Sequence, residues 1–159
     1  MSIEIERKFL VTGDEWRSTI KGTLYRQGYL STEIERSVRV RIIGKMGYLT
    51  IKGKTENAIR MEFEYEIPYE DATQMLGKLC QHPFIEKTRY KLNENDLVWE
   101  IDEFWGDNEG LIIAEVELDD VDKEIKLPEW IGEEVTNDPK YYNVNLIKNP
   151  FKDWKRNSG

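Results

Sequence analysis

The sequence predicts a β-rich α+β fold: a closed eight-stranded antiparallel barrel with a few peripheral helices. Apolar and polar residues alternate at period two in eight separate stretches, as half-buried strands require. Helical spacing is confined to three short stretches, too little to cover one face of eight strands, so the sheet must curl or oligomerise. Closure into a barrel meets that need and removes the exposed edges.

The strands are expected at residues 2–11, 23–30, 37–43, 48–54, 59–67, 85–92, 98–104 and 111–118. Gly44-Lys45-Met46-Gly47 reads as a hairpin turn, and residues 106–110 as a longer polar one. Thr12 or Asp14 would cap a short helix through Ile20. Ala72, Met75, Leu76 and Leu79 share one face of a helix over 71–80. Asp138 followed by Pro139 opens a helix over 140–147. With no linker or repeat, a single domain over 1–159 is expected, its C-terminal helix and tail beginning near 137.

Composition narrows the function. The 159 residues carry 23 Lys and Arg against 31 Asp and Glu, a formal charge of 23 − 31 = −8. That balance argues against duplex nucleic acid as a partner, which demands clustered positive charge. No apolar run is long enough to span a bilayer, and the N-terminus MSIEIERKFL is charged. A single cysteine, Cys80, makes the cytoplasm the default location. With His82 the sole histidine, His-rich zinc sites are excluded. Carboxylates, Lys, Arg, Tyr and a hard metal remain as the chemistry.

The charges lie on the polar phase of the strands. Glu4, Glu6 and Lys8 share one face. Arg39 with Arg41, Lys52 with Lys54, and Arg60, Glu62, Glu64 and Glu66 follow on successive strands. Then come Lys87, Arg89 and Lys91, Glu100 and Asp102, and Glu115 with Glu117. A solvated outer face is the alternative. Such a face mixes signs and includes Ser, Thr and Asn, whereas these rows are sorted by sign within most strands, and adjacent arginine rows would repel without an anion between them. A charged lumen accounts for both features. Arg and Lys rows suit phosphate oxygens, and Glu/Asp clusters without Cys or His suit Mg²⁺ or Mn²⁺. So many bases suit several linked phosphates better than one.

These rows resemble the CYTH superfamily, the triphosphate tunnel metalloenzymes. Glu4-Ile5-Glu6-Arg7-Lys8 matches the ExExK signature, and the resemblance continues through Arg26-Gln27-Gly28-Tyr29-Leu30, Val38-Arg39-Val40-Arg41, Leu49-Thr50-Ile51-Lys52-Gly53 and Glu115-Val116-Glu117. Glu134-Val135-Thr136 and Tyr141-Tyr142-Asn143 resemble the C-terminal region of small bacterial members. The resemblance implies a triphosphate held by Lys8, Arg39, Arg41, Lys52, Lys54, Lys87 and Arg89. It implies one or two divalent ions, Mg²⁺ or Mn²⁺, at Glu4, Glu6, Glu62, Glu64, Asp102, Glu115 and Glu117, and a catalytic pair Lys8 and Tyr29. The expected activity is metal-dependent hydrolysis of a triphosphate, foremost inorganic tripolyphosphate to pyrophosphate and phosphate, with nucleoside triphosphates as further substrates. Class IV adenylyl cyclase, thiamine triphosphatase and a non-catalytic polyphosphate sensor are the alternatives. A small-molecule substrate and a homodimer through an apolar outer wall complete the expected partners, with neither nucleic acid nor membrane.

Other signals carry less. Gly53-Lys54-Thr55 resembles a P-loop ending, but Tyr48 stands where the first glycine belongs. Asp119, Asp120 and Asp122 lack EF-hand spacing and read as a solvated turn. Cys80 reads as packing at a helix end, and Trp99, Trp105 and Trp130 as core or outer wall. Residues 152–156 form a basic stretch that reads as a mobile tail or a lid.

Overall fold

A computed structural model describes residues 3–18 and 20–154 of the chain. Nine strands form one sheet: β1 (Ile3–Val11), β2 (Thr23–Ser31), β3 (Arg36–Ile43), β4 (Met46–Gly53), β5 (Ile59–Ile67), β6 (Ile85–Glu94), β7 (Leu97–Phe104), β8 (Ile112–Glu117) and β9 (Ile131–Glu134). The order β5-β4-β3-β2-β6-β7-β8-β1 closes on itself because β1 also pairs with β5, giving an eight-stranded antiparallel barrel with β9 as an extra strand. One edge of β1 is shared: β5 takes residues 3–5 and β9 takes residues 9–11, while β8 holds the other edge.

Turn chemistry fixes the register. Gly44, at φ +59°, lets Ile43 pair directly with Met46. Asn95 and Asp96 hold φ 54° and 62° and join β6 to β7 with Glu94 opposite Leu97; short polar side chains tolerate this left-handed region. That turn extends both strands beyond their expected ends.

Helix α1 (Tyr69–Lys78) lies on the outer face of β2, β3 and β4, burying Ala72 and Leu76 against Val40, Ile42 and Cys80. Two glycines permit the contact. A Cβ on Gly47 would sit 2.6 Å from Ala72 Cβ, and one on Gly28 would sit 2.8 Å from Leu76 Cδ1. A second outer layer packs Trp16 and Trp130 over Phe9, Trp99, Ile101 and Val116. Ile3, Ile51, Met61 and Tyr65 remain exposed.

Three expectations change. The first helix is a single 3₁₀ turn, Glu15–Ser18, and Thr19 of its expected span lies outside the described residues, as do Ser2 of the first strand and Lys155 and Arg156 of the basic end. Strand β9 is additional. The C-terminal helix is broken: Asp138 caps Lys140 N as expected, but Tyr142 adopts ψ 133° and divides a 3₁₀ turn, Pro139–Tyr141, from the one-turn helix α2 (Asn143–Leu146). This segment seats Tyr141, Val144, Leu146 and Ile147 against Tyr29, Ile85, Phe104 and Ile113. Those four share parity with the charged rows, so the lumen is apolar at one end and the C-terminal segment closes it there.

Candidate active site

Alternation along each strand sends one parity into the lumen, and the order of the strands sorts it by sign. Arg39 and Arg41 on β3 and Lys87, Arg89 and Lys91 on β6 flank β2, which contributes the uncharged Tyr25 and Tyr29, with Gln27 buried on the same parity. Around the remaining circumference run Glu100 and Asp102 on β7, Glu115 and Glu117 on β8, Glu4 and Glu6 on β1, and Glu62 and Glu64 on β5. The tunnel therefore has a basic arc opposite an acidic arc, around a cavity of about 320 Å³. Lys8, Lys52 and Arg60 lie within or beside the acidic arc and neutralise part of it.

Lys8 Nζ donates to Glu115 Oε1 at 2.6 Å and to Glu6 Oε1 at 3.3 Å. Burial pulls Lys8 down, but Glu115 and Glu6 outweigh it and hold the ammonium charged. Lys52 reaches Glu4 at 3.2 Å and Glu62 at 3.0 Å, and Arg60 Nε reaches Glu4 at 3.2 Å. Burial alone would raise Glu4, yet Lys52, a hydrogen bond from Glu62 and Arg60 bring it to about 2. Glu6 behaves oppositely: burial, and then Glu115, push it up to about 7 against Lys8.

The basic arc is less completely compensated. Asp102 is fully buried, accepting from Arg89 Nε at 2.7 Å, Arg89 Nη2 at 2.8 Å and Lys87 Nζ at 2.7 Å. Arg39 Nη2 bonds Thr50 at 3.1 Å and Glu64 at 3.3 Å, while among the described residues its buried Nε has no partner. Among the described residues no carboxylate pairs with Arg41, whose Nε donates to Gln27 Oε1 at 3.0 Å. Burial, with Arg39 and Arg89 nearby, draws this guanidinium down to about 9. Asn143 Oδ1 accepts from Gln27 Nε2 at 3.0 Å and Lys87 Nζ at 2.8 Å, tying the C-terminal segment to the cavity floor.

Most of the expected residues meet here. Lys8, Tyr29, Arg39, Arg41, Lys52, Lys87, Arg89, Glu4, Glu6, Glu62, Glu64, Glu115 and Glu117 all line the cavity. Lys54 does not: it lies beyond the end of β4, exposed. Asp102 sits behind the cavity surface, where both oxygens serve Arg89 and Lys87. Among the described residues no hydrogen bond joins Lys8 to Tyr29. Arg60, Lys91 and Glu100 line the cavity without having been given a role from sequence, although their strand parity already placed them with the others. Tyr142 and Asn143 also line it. Their position in the Tyr141-Tyr142-Asn143 run was a family signal, but no periodicity in the sequence links that run to the barrel interior.

Among the described residues no three acids converge tightly enough to enclose a metal ion by themselves. The donor set nevertheless fits a hard divalent cation. It is all oxygen, it gathers Glu4, Glu6, Glu62, Glu115 and Glu117 along one side of the cavity, and it faces an arc suited to phosphate. Mg²⁺ is characteristically held by one or two carboxylates together with substrate phosphates.

Known proteins share this architecture. The sequence is 53% identical over 155 residues to an inorganic triphosphatase of Acetivibrio thermocellus, covering 98% of this chain and 99% of that one. An inorganic triphosphatase of Nitrosomonas europaea is 37% identical over 150 residues, 90% of this chain and 95% of the relative. The crystal structure of an inorganic triphosphatase superposes with a TM-score of 0.63 at 32% identity, over 91% of this chain and 93% of that one. A putative adenylate cyclase from Bacillus halodurans shares the fold alone, at TM-score 0.60 and 15% identity over 76% of this chain and 84% of that one. Residues 2–148 match the CYTH domain, and with near full-length relatives well above 30% identity, this chain belongs to the CYTH domain family.

Proposed function

We propose that this protein is a divalent-metal-dependent triphosphatase that hydrolyses inorganic tripolyphosphate to pyrophosphate and phosphate in the cytoplasm. The observation that carries the reading is the polarised lumen: buried guanidiniums at Arg39 and Arg41 lacking full compensation, facing a crowded arc of carboxylates. A polyanion and a divalent cation together satisfy both arcs. The similarity to the inorganic triphosphatases of Acetivibrio thermocellus and Nitrosomonas europaea supports the same reading.

Arg39, Arg41, Lys87 and Arg89 bind and align the phosphate chain along the basic arc. Glu4, Glu6, Glu62, Glu115 and Glu117 would hold Mg²⁺ or Mn²⁺, which when bound supplies neutralisation of phosphate charge and polarisation of phosphorus. Phosphoryl transfer needs chiefly alignment and charge cancellation. A water oriented by the acidic arc attacks the terminal phosphorus in line. The new P–O bond forms as the bridging P–O bond breaks, its electron pair leaves with pyrophosphate, and the water's proton passes to a neighbouring carboxylate. Lys8, held charged between Glu115 and Glu6, acts as a cation in this arrangement, and Tyr29 lines the same cavity.

The inorganic substrate is favoured over nucleotides and thiamine triphosphate because the lining is mostly charged and one end is closed by Tyr142, Asn143 and Val144. An organic group needs apolar surface to bury. The test is release of phosphate and pyrophosphate from tripolyphosphate, ATP, thiamine triphosphate and pyrophosphate with Mg²⁺, Mn²⁺ or EDTA. Metal-dependent phosphate release, fastest on tripolyphosphate, is expected. Cyclic AMP with pyrophosphate from ATP would move the chain to the cyclases, and EDTA-sensitive binding without turnover would make it a sensor.

A further inference from the structure

The basic arc contains a strand that turns no charge to the cavity. β2 lies between β3 and β6; Tyr25 and Tyr29 line the cavity from it, Gln27, of the same parity, is buried between them, and none of the three is a cation. The guanidinium carbon of Arg41, from one side, lies 4.9 Å from the centroid of the Tyr25 ring. That of Arg89, from the other neighbouring strand, also lies 4.9 Å from the same centroid. Tyr25 is buried, so both contacts are largely shielded from water.

The register explains the arrangement. Tyr25 is directly opposite Ile43 and Lys87, while Arg41 and Arg89 sit on the diagonals, opposite Gln27 and Thr23. The two arginines thus come from strands that do not pair with each other and lie on either side of β2. Asp102 pairs with Arg89, but among the described residues no carboxylate forms an ion pair with Arg41. A side chain without a quadrupole at position 25 would leave two guanidiniums to repel across the strand, and an acidic one would occupy them in place of the ligand. An aromatic ring attracts both cations with its π faces and consumes neither one's hydrogen-bond donors toward the cavity.

We propose that Tyr25 is a positioning residue that holds Arg41 and Arg89 as a preformed pair for the phosphate chain. This rests on the triphosphatase reading above. The phenolic oxygen has no part in it; the π face does. Substrate affinity therefore depends on ring quadrupole at constant shape, and the chemical step does not.

The experiment places phenylalanine and then mono-, di- and trifluorinated phenylalanines at position 25, a nearly isosteric series that leaves packing in place while draining the ring's negative face. Tripolyphosphate binding is measured by calorimetry with Ca²⁺ or without metal, and kcat and KM are measured with Mg²⁺. Tyr25→Phe is expected to match the wild type. Along the fluorinated series affinity is expected to fall stepwise, by about tenfold overall if each cation–π contact is worth about 0.5–1 kcal/mol, with KM rising and kcat steady. Tyr25→Leu should lie at the weak end. A flat series, a rising one, or a fall confined to kcat overturns the proposal. Failure of the wild type itself to bind or hydrolyse tripolyphosphate would instead overturn the triphosphatase reading and this inference with it.

Discussion

Asp102 shows how burial changes the meaning of a carboxylate. From its strand parity it belongs with the acidic row, and the family resemblance implies a metal role. In the fold its two oxygens are taken by Arg89 and Lys87, and although burial alone would raise it, those cations hold it at about 2. Sequence parity revealed which face Asp102 occupies but not how deep it lies, because depth is set by barrel tilt and by which neighbours reach across. Asp102→Asn removes the charge that compensates two buried cations, and breaking such a pair typically costs about 3–5 kcal/mol; urea denaturation at pH 7 checks it. The pH sign follows. A depressed carboxyl contributes stability above its unfolded value, and loses it as pH falls through about 2. Wild-type stability should drop between about pH 4 and pH 2 by a component of roughly 2 kcal/mol that the variant lacks. Lys8 gives a second residue-level expectation. Lys8→Ala should abolish tripolyphosphate turnover and also destabilise the fold, since Glu115 would be left buried beside Glu6. Adding Glu115→Gln should restore the melting temperature without restoring turnover; recovery of turnover would show that Lys8 is dispensable to the chemistry.

At the level of elements, long alternating strands were legible and short ones were not. The eight barrel strands are each six residues or longer and send alternate side chains to the lumen and to the outer wall, so a period of two is visible in sequence. β9 has four residues and a weak pattern, and its place depends on β1 having an open stretch of edge that β5 leaves unused. Yet β9 leads directly into Thr136, whose Oγ1 accepts from the Lys8 amide at 3.0 Å, while the Lys8 carbonyl accepts from Val135 N at 2.8 Å. Glu134 grips Arg7 through two hydrogen bonds at 2.9 and 2.7 Å and accepts from Thr136 at 2.6 Å. The extra strand thus clamps the backbone on both sides of the Lys8 side chain. Thr136→Val leaves that buried amide without an acceptor, a cost of about 1–3 kcal/mol, and should lower kcat several-fold with little change in tripolyphosphate affinity. Thr136→Ser keeps the oxygen and should recover both; if it does not, the methyl group rather than the hydrogen bond positions Lys8. The C-terminal segment was likewise only half legible. Its cap and proline marked the start, but the break at Tyr142 serves a tertiary demand, placing Asn143 against Gln27 and Lys87.

For the whole molecule, closure converts a local alternation into a global separation of charge. No strand by itself has two arcs; they arise because the order β3-β2-β6 groups the arginine and lysine rows and β7-β8-β1-β5 groups the acids. The sequence displayed the rows, and only the pairing order reveals that they face each other across one cavity. Each arc then raises the cost of the other's ligand when that ligand comes alone. A polyanion must approach buried carboxylates unscreened, and a divalent ion must approach buried guanidiniums. Together they neutralise each other, so binding should be strongly cooperative. A ligand at a hundred times its Kd stabilises the folded state by about 2.7 kcal/mol, which for a domain of this size corresponds to a rise in Tm of about 5–11 °C. Tripolyphosphate with a divalent ion that supports binding but slow turnover, such as Ca²⁺, should raise Tm by more than the sum of the two separate shifts. Glu4→Gln and Arg41→Gln should each reduce that excess, one from each arc, and raising the salt concentration should reduce it far less than for an exposed site because the charges are buried. Strictly additive shifts in the wild type would mean that the two arcs bind independently, and that the separation of charge around the barrel serves folding rather than a metal–triphosphate complex.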